Sequence, residues 1–297
     1  MTSEAGLIVV DKPAGMTSHD VVSRVRKLAG TRKVGHAGTL DPMATGVLVL
    51  GLNRATRLLG YLMLTEKAYD ATIRLGVATT TDDAEGDVLS SVSTIGIDEA
   101  AVRAALAEQV GEIEQVPTAV SAIKVDGKRA YQRVRDGEQV ELKARPVTIH
   151  ELTVHEVRGF ETGAGAPSST TGIDVSISVR CSSGTYVRAV ARDAGARLGV
   201  GGHLAALRRT AVGPFDLASA HGLEQLADDL AMVPIAVAAR ASFRAVDLDE
   251  SRAADVRVGR ALDLDLDGLS AVFAPDGEFL ALYEPREGSA RAVAVFV

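Results

Sequence analysis

The chain has 297 residues, 46% hydrophobic and 24% charged, with a net charge of −7, one cysteine and no tryptophan. At roughly 100–200 residues per domain this length fits one large domain, or a large one with a small companion. The composition excludes extended disorder, collagen and disulfide-rich scaffolds. Cys181 alone can form neither an internal disulfide nor a zinc cluster, no stretch reaches the ~20 apolar residues of a membrane helix, and the apolar run Gly6–Val10 is too short for a secretory signal. A soluble, cytoplasmic protein is expected.

Gly6–Asp11 reads as a buried strand and Lys12–Thr17, with Pro13 and Gly15, as a turn. Ser18 is the expected N-cap of a helix carrying Val21, Val22, Val25 and Leu28 on one face, ended by Gly30. Thr31–Leu40 is a loop leading into Asp41-Pro42. Gly46–Leu52 suits a buried strand, Ala55–Leu62 a short helix and Lys67–Val77 an alternating strand. Thr79–Gly86 is an acidic loop and Asp98–Val110 an amphipathic helix. Strands are expected around the basic segment Lys124–Gly137 and at Val147–Val157 and Ile173–Cys181, with the small, polar Glu161–Gly172 as a surface loop. Thr185–Leu198 reads as a helix, and Leu204–Arg209 starts another short element.

This irregular alternation, with several hairpin-spaced strands, favours an α+β fold with a mixed sheet over a strictly alternating parallel one. Beyond the apolar run Ala231–Ala239 the texture changes. Val256–Leu262, Ala271–Ala274, Phe279–Tyr283 and Ala292–Val297 read as short strands of a small all-β module, expected to pack on the main domain. The expected domains are 1–240 and 241–297.

The average charge conceals segregation. Residues 180–210 carry Arg180, Arg188, Arg192, Arg197, Arg208 and Arg209 against one acid, Asp193, whereas residues 82–114 carry nine acids and one base, Arg103. Such a distribution can leave a basic groove on an acidic protein, although on charge alone solvated charged faces are the better reading. Phosphate-loop, dinucleotide, G-x-S-x-G and H-E-x-x-H patterns are absent. Asp263, Asp265, Asp267 and Gly268 imitate the start of a calcium loop, but Ala274 stands where a bidentate Glu is required. No metal and no nucleotide cofactor are implied.

The informative stretch is Gly35–Leu48, GHAGTLDPMATGVL, a carboxylate on a glycine-bounded loop beside a histidine. On residue types alone it is a turn. Together with Asp11–Ser18 (DKPAGMTS) it closely resembles the bacterial TruB family of tRNA pseudouridine-55 synthases. The resemblance continues through Lys67-Ala68-Tyr69, Ser121–Tyr131, Gly184–Arg188 with Arg192, Asp193 and Gly195, His203 with Leu207–Thr210, and Gly213-Pro214-Phe215. It implies a pseudouridine synthase fold, a mixed, largely antiparallel sheet flanked by helices, with the C-terminal β module resembling a PUA domain. It also implies isomerisation of uridine-55 in the T loop of tRNA, without a cofactor.

By position in the family motifs, Asp41 is the nucleophile or ion-pairing carboxylate; attack at C1′, attack on the ring and passage through a glycal are all compatible with it. Arg188 is the cation that keeps it ionised, and Tyr69 the tyrosine that stacks on the target base. His36 matches the histidine that braces the vacated stack of a flipped base. Tyr186 and Leu207 match positions lining the uracil pocket, and Lys12 is expected to order the catalytic loop or meet a phosphate. Lys124, Lys128, Arg129, Arg133, Arg208 and Arg209 are candidate phosphate contacts, and the β module a candidate contact for the acceptor end.

Two departures from the family pattern stand out: Arg57 where many relatives carry Lys, and a long Glu161–Gly172 connection. Two other readings compete. One is a tRNA-binding or folding chaperone that uses the same groove without obligatory catalysis, for which a carboxylate facing RNA has no purpose. The other is a relative that modifies ribosomal RNA under a guide. Length and the lack of long basic extensions favour a stand-alone tRNA enzyme, expected to be a monomer.

Overall fold

A computed structural model describes residues 4–118, 124–125, 128–129, 142–161, 171–286 and 289–297. The chain forms two compact units: Met1–Pro42, Gly46–Leu64 and Ala211–Val297 make one, Met43–Thr45 and Thr65–Thr210 the other.

In the first unit, strand β1 (Gly6–Lys12) is buried along nearly its whole length, as its apolar run requires. The helix Ser18–Ala29 follows, closed by Gly30 in the left-handed conformation. Its N-cap is Thr17, not Ser18: the Thr17 side chain accepts from the Asp20 N–H, and the Asp20 carboxylate accepts in return from Thr17. Strands β2 (Val34–His36) and β3 (Thr45–Leu52) pair antiparallel, and β3 pairs antiparallel with β1. The expected helix over Ala55–Leu62 is two pieces, a 3-10 turn Asn53–Arg57 and a single α-turn Leu59–Leu62.

The second unit opens with β4 (Lys67–Leu75) and the hairpin β5 (Val77–Thr79) and β6 (Val88–Ser91). The helix Glu99–Ala107, N-capped by Asp98, leads into β7 (Gly111–Gln115). A two-residue hairpin, β8 (Lys124–Val125) and β9 (Lys128–Arg129), lies within the basic segment. Next come the long strands β10 (Arg145–Glu161) and β11 (Thr171–Cys181), the helix Val187–Arg197 and β12 (Gly202–Val212). The sheet order is β12-β4-β11-β10-β7. Ile73, Leu75, Ile177 and Val179 on its inner face are buried, while Asp70, Arg74 and Asp174 on the other face meet solvent. This alternation is the period-2 pattern of a half-buried antiparallel sheet.

The chain then returns to the first unit. β13 (Phe215–Asp216) pairs with the end of β12, and β14 (Val233–Pro234) with β1. Beyond the helix Ile235–Ser242, strands β15 (Arg244–Asp247), β16 (Ser270–Phe273), β17 (Phe279–Arg286) and β18 (Ser289–Val295) form a four-stranded sheet in that order, with β15 parallel to β16 and the rest antiparallel. The module is not all-β: Glu250–Arg257, capped by Asp249, is a helix, and the expected strand at Val256–Leu262 is its end and the turn after it. One set of side chains from this sheet, with Leu248, Val256, Leu262 and Leu266, makes a core of its own. The other set, Ala271, Phe273, Phe279, Leu282 and Phe296, shares a core with Leu7, Val9, Val47 and Leu58. The fold is α+β, with largely antiparallel sheets, helices and a small C-terminal β module.

Candidate active site

The Asp41 loop is anchored on both sides of the carboxylate. Before it, the Ala37 N–H donates to the Val49 carbonyl at 2.9 Å. The buried Ser18 hydroxyl bridges Leu40, accepting from its N–H at 2.9 Å and donating to its carbonyl at 3.1 Å. Freed from capping duty by Thr17, Ser18 serves the loop instead. After it, the Pro42 carbonyl accepts from the Gly15 N–H at 2.8 Å and from the Lys12 ammonium at 3.3 Å. Gly38 and Gly46, both at φ +98°, supply the left-handed bends on either side.

Lys12 is fully buried, and its ammonium also donates to the carbonyls of Pro13 and Met16 at 2.9 and 2.7 Å. Three converging carbonyl oxygens replace its water, which is how a buried ammonium is tolerated. These contacts join the Asp11–Ser18 segment to the Pro42 end of the Asp41 loop. Asp41 itself is half-buried, and His36 pairs across to Leu50 on β3 with its ring edge-on to His19, centroids 5.7 Å apart.

In the second unit Arg188 lies in the first turn of the helix Val187–Arg197, 6% exposed. Its guanidinium pairs with Asp83 at 3.2 Å and donates to the Thr81 carbonyl at 2.9 Å. Asp83 is itself 2% exposed, and its carboxylate also accepts from the Thr81 hydroxyl and, at 3.0 Å, from the Glu85 N–H. The acidic loop Thr79–Gly86 thus holds the arginine. Asp83 escaped selection from the sequence because nothing near it announces Arg188. The available signal was the charge segregation, an acidic loop matched by an arginine-rich helix.

Tyr186 precedes that helix, which has no side-chain cap of its own; the Gln115 amide accepts from the Tyr186 N–H at 2.8 Å and donates to its carbonyl at 3.2 Å. Gln115 is a second residue that sequence reasoning missed. Tyr69, half-buried on β4 opposite Val179, shares the inward face with Lys67, Ala71 and Ile73. Lys67 is buried and donates to the Thr65 carbonyl. Burial, reinforced by the charge of Arg209, pushes its pKa down to about 8. Leu207 is buried on β12.

The candidate phosphate contacts separate. Arg209 is 2% exposed, so its guanidinium belongs to the interior and leaves that set: on β12 it falls on a covered face, which a bare Arg-Arg pair in the sequence does not reveal. Arg208, half-buried, donates to the Thr45 hydroxyl at 3.3 Å. Lys124, Lys128 and Arg129 lie on the β8–β9 hairpin, while Arg133 and nearly all of the Glu161–Gly172 loop lie outside the described residues. Arg57 donates to the Val295 carbonyl at 2.7 Å, tying the 3-10 turn to the last strand. Among the described residues no group of three or more His, Cys, Asp or Glu side chains is placed to hold a metal ion, and no helix is long and apolar enough to cross a membrane.

Three family models match consecutive stretches: "TruB family pseudouridylate synthase (N terminal domain)" over residues 26–187, "tRNA pseudouridylate synthase B C-terminal domain" over 188–239, and "tRNA Pseudouridine synthase II, C terminal" over 243–297. The chain is 56% identical to a protein named tRNA pseudouridine synthase B from Arthrobacter sp. (strain FB24), over 98% of this chain and 96% of the relative. It is likewise 56% identical to the protein of that name from Thermobifida fusca (strain YX), over 98% of each. Among solved structures it resembles a chain of a Cbf5-Nop10-Gar1 complex (TM-score 0.72, 27% identity, 98% of this chain and 84% of that one). It also resembles a chain of an H/ACA RNP bound to a substrate RNA containing 2'-deoxyuridine (TM-score 0.71, 25% identity, 98% and 85%). With its N-terminal model alone spanning more than half the sequence, and relatives this similar over nearly their full length, the chain belongs to the TruB family of pseudouridylate synthases.

Proposed function

We propose that this protein is a tRNA pseudouridine synthase that isomerises uridine-55 in the T loop, with Asp41 as nucleophile. The observation that carries the reading is the Asp41 loop: a carboxylate fastened on both sides through Leu40 and Pro42, in a chain whose relatives at 56% identity are named tRNA pseudouridine synthase B. An RNA-binding module has no use for a rigidly presented carboxylate facing anionic RNA, whereas a nucleophile requires preorganisation.

The reaction breaks the N1–C1′ bond, turns the uracil and forms a C5–C1′ bond. C5 gives up a proton and N1 gains one, so no electrons or groups are exchanged with a cofactor. Asp41 supplies the negative charge or nucleophile that compensates the sugar–base cleavage. Arg188, held by Asp83 and Thr81, is by its place in the family motif the cation that keeps the Asp41 carboxylate ionised. Tyr69 stacks on the extruded base, Tyr186 and Leu207 line its pocket, and His36 braces the stack it leaves, offsetting an unstacking cost on the order of a few kcal/mol. Lys124, Lys128, Arg129 and Arg208 are the proposed phosphate contacts, and residues 241–297 a PUA-like RNA-binding domain reaching the acceptor end. The protein acts as a cytoplasmic monomer.

The test is release of tritium from C5-labelled uridine in an unmodified tRNA transcript. Wild type releases label from the T-loop uridine alone, and Asp41→Asn binds the transcript but releases none. Tight tRNA binding by the wild type without any release would replace the enzyme with the chaperone reading.

A further inference from the structure

Arg188 and Arg192 stand one turn apart on the helix Val187–Arg197 and engage consecutive residues of the loop between β5 and β6. Arg188 meets Asp83 at 3.2 Å and Arg192 meets Asp82 at 3.3 Å. The spacing is that of i and i+4 side chains on one helix face. Asp82 adopts the left-handed backbone, φ +60°, which a non-glycine residue keeps only when its surroundings enforce it.

Those surroundings are visible. The Asp82 carbonyl accepts from the Leu204 N–H at 3.0 Å, and the Ala84 N–H donates to the Leu204 carbonyl at 3.0 Å, so Leu204 of β12 brackets Asp83 and fixes the carbonyl of Asp82. Burial raises the pKa of its carboxyl, against the pull of Arg192 and then of Arg188, as expected of a carboxylate that depends on its cation. Arg192 reaches further than this pair. Its Nη2 donates to the Val116 carbonyl at 2.8 Å and its Nε to Asp193 at 2.8 Å. One guanidinium therefore joins the acidic loop, the helix and the stretch after β7.

We propose that Asp82 and Arg192 form a positioning pair that locks the Thr79–Gly86 loop in the conformation from which Thr81 and Asp83 aim Arg188. Neither residue touches substrate; both act through Arg188. The inference rests on the reading of Arg188 as the cation of the synthase site.

The experiment compares wild type, Asp82→Asn, Arg192→Gln, Arg192→Lys and the Asp82→Asn/Arg192→Gln double variant by tritium release, tRNA binding, thermal unfolding and amide exchange at Ala84, Glu85 and Leu204. Each single neutralising variant is expected to lower kcat by about tenfold or more, the scale of a small misplacement of a catalytic group. KM and tRNA affinity are expected to stay within about twofold, and exchange at the three amides to accelerate. The double variant should be no slower than the slower single, as residues acting as one unit require, and Arg192→Lys should recover part of the loss. An unchanged kcat in folded Asp82→Asn, unchanged exchange at those amides, or a loss that appears in KM alone would overturn the proposal. If wild type releases no tritium, the synthase reading falls, while the exchange arm still decides whether the pair locks the loop.

Discussion

Two buried lysines show how the same residue type is managed in opposite ways. Lys12 is matched by three carbonyl oxygens, whereas Lys67 sits in the interior near Arg209 with its pKa pushed down to about 8. The folded chain therefore loses the Lys67 proton near pH 8, while the unfolded chain keeps it until about its ordinary value of 10.5. Stability should rise with pH over the interval where only the unfolded state holds the proton. Cys181 works the other way: burial raises its thiol to about 11, so ionisation of the unfolded thiol above 9 favours unfolding. The clean window for Lys67 is thus pH 8 to 9. Urea midpoints should climb across it in wild type and stay level in Lys67→Met; a level wild-type profile would contradict the assignment. Ser18 offers a second test. Ser18→Ala strands the Leu40 N–H in a buried place, a cost of about 1–3 kcal/mol, and should slow tritium release more than it weakens tRNA binding. Equal effects on rate and affinity would remove the hydroxyl from the positioning of Asp41.

At the scale of elements, local signals succeeded where they report on short-range physics. The strands Gly6–Lys12, Thr45–Leu52 and Thr171–Cys181 and the helices Ser18–Ala29, Glu99–Ala107 and Val187–Arg197 lie within a few residues of their apolar periods. The N-cap slipped by one residue because Thr17 and Ser18 are both good caps, and the buried hydroxyl was claimed by Leu40. The C-terminal helix Glu250–Arg257 was missed because its polar sequence carries little amphipathic pattern beyond Ala253 and Val256. Gly195 marks a contact that periodicity does not encode: a Cβ there would lie 2.2 Å from the carbonyl carbon of Gly201 and 2.3 Å from the Gly202 nitrogen. Backbone cannot yield as a flexible side chain can, so Gly195→Ala should destabilise by at least the roughly 1–3 kcal/mol typical of overpacking. Differential scanning calorimetry should show a drop of several degrees; an unchanged midpoint would mean that the Gly201-Gly202 turn moves aside freely.

At the scale of the whole molecule, the C-terminal sheet is bound into the first unit by a common apolar core. Phe273, Phe279 and Phe296 cluster, with ring centroids 5.5 and 4.7 Å apart along the series, in the same core as Leu7, Val9 and Val49. Arg57 and Tyr61 add hydrogen bonds to the Val295 and Val293 carbonyls. We therefore expect a chain truncated after residue 240 to expose the strand faces of the first unit and to aggregate or lose cooperative unfolding. Phe273→Ala in the full chain should cost about 3–5 kcal/mol. A soluble truncation with an undiminished melting transition would show instead that residues 241–297 form an independent domain.

The sequence by itself determined the α+β class, the family resemblance and the residues from which the site is proposed, because motif identity and apolar period are local properties written in residue types. Tertiary structure alone decided that Asp83 and the Thr81 carbonyl, the latter 107 positions away, hold Arg188, and that Arg209 belongs to the interior. It alone decided that Lys12 is satisfied by backbone, and that the C-terminal sheet shares its core with β1 and β3. The reason is physical. Carbonyl oxygens accept hydrogen bonds regardless of the side chain above them, and burial is a property of what lies opposite. Neither leaves a mark in the one-dimensional pattern until the chain brings distant segments together.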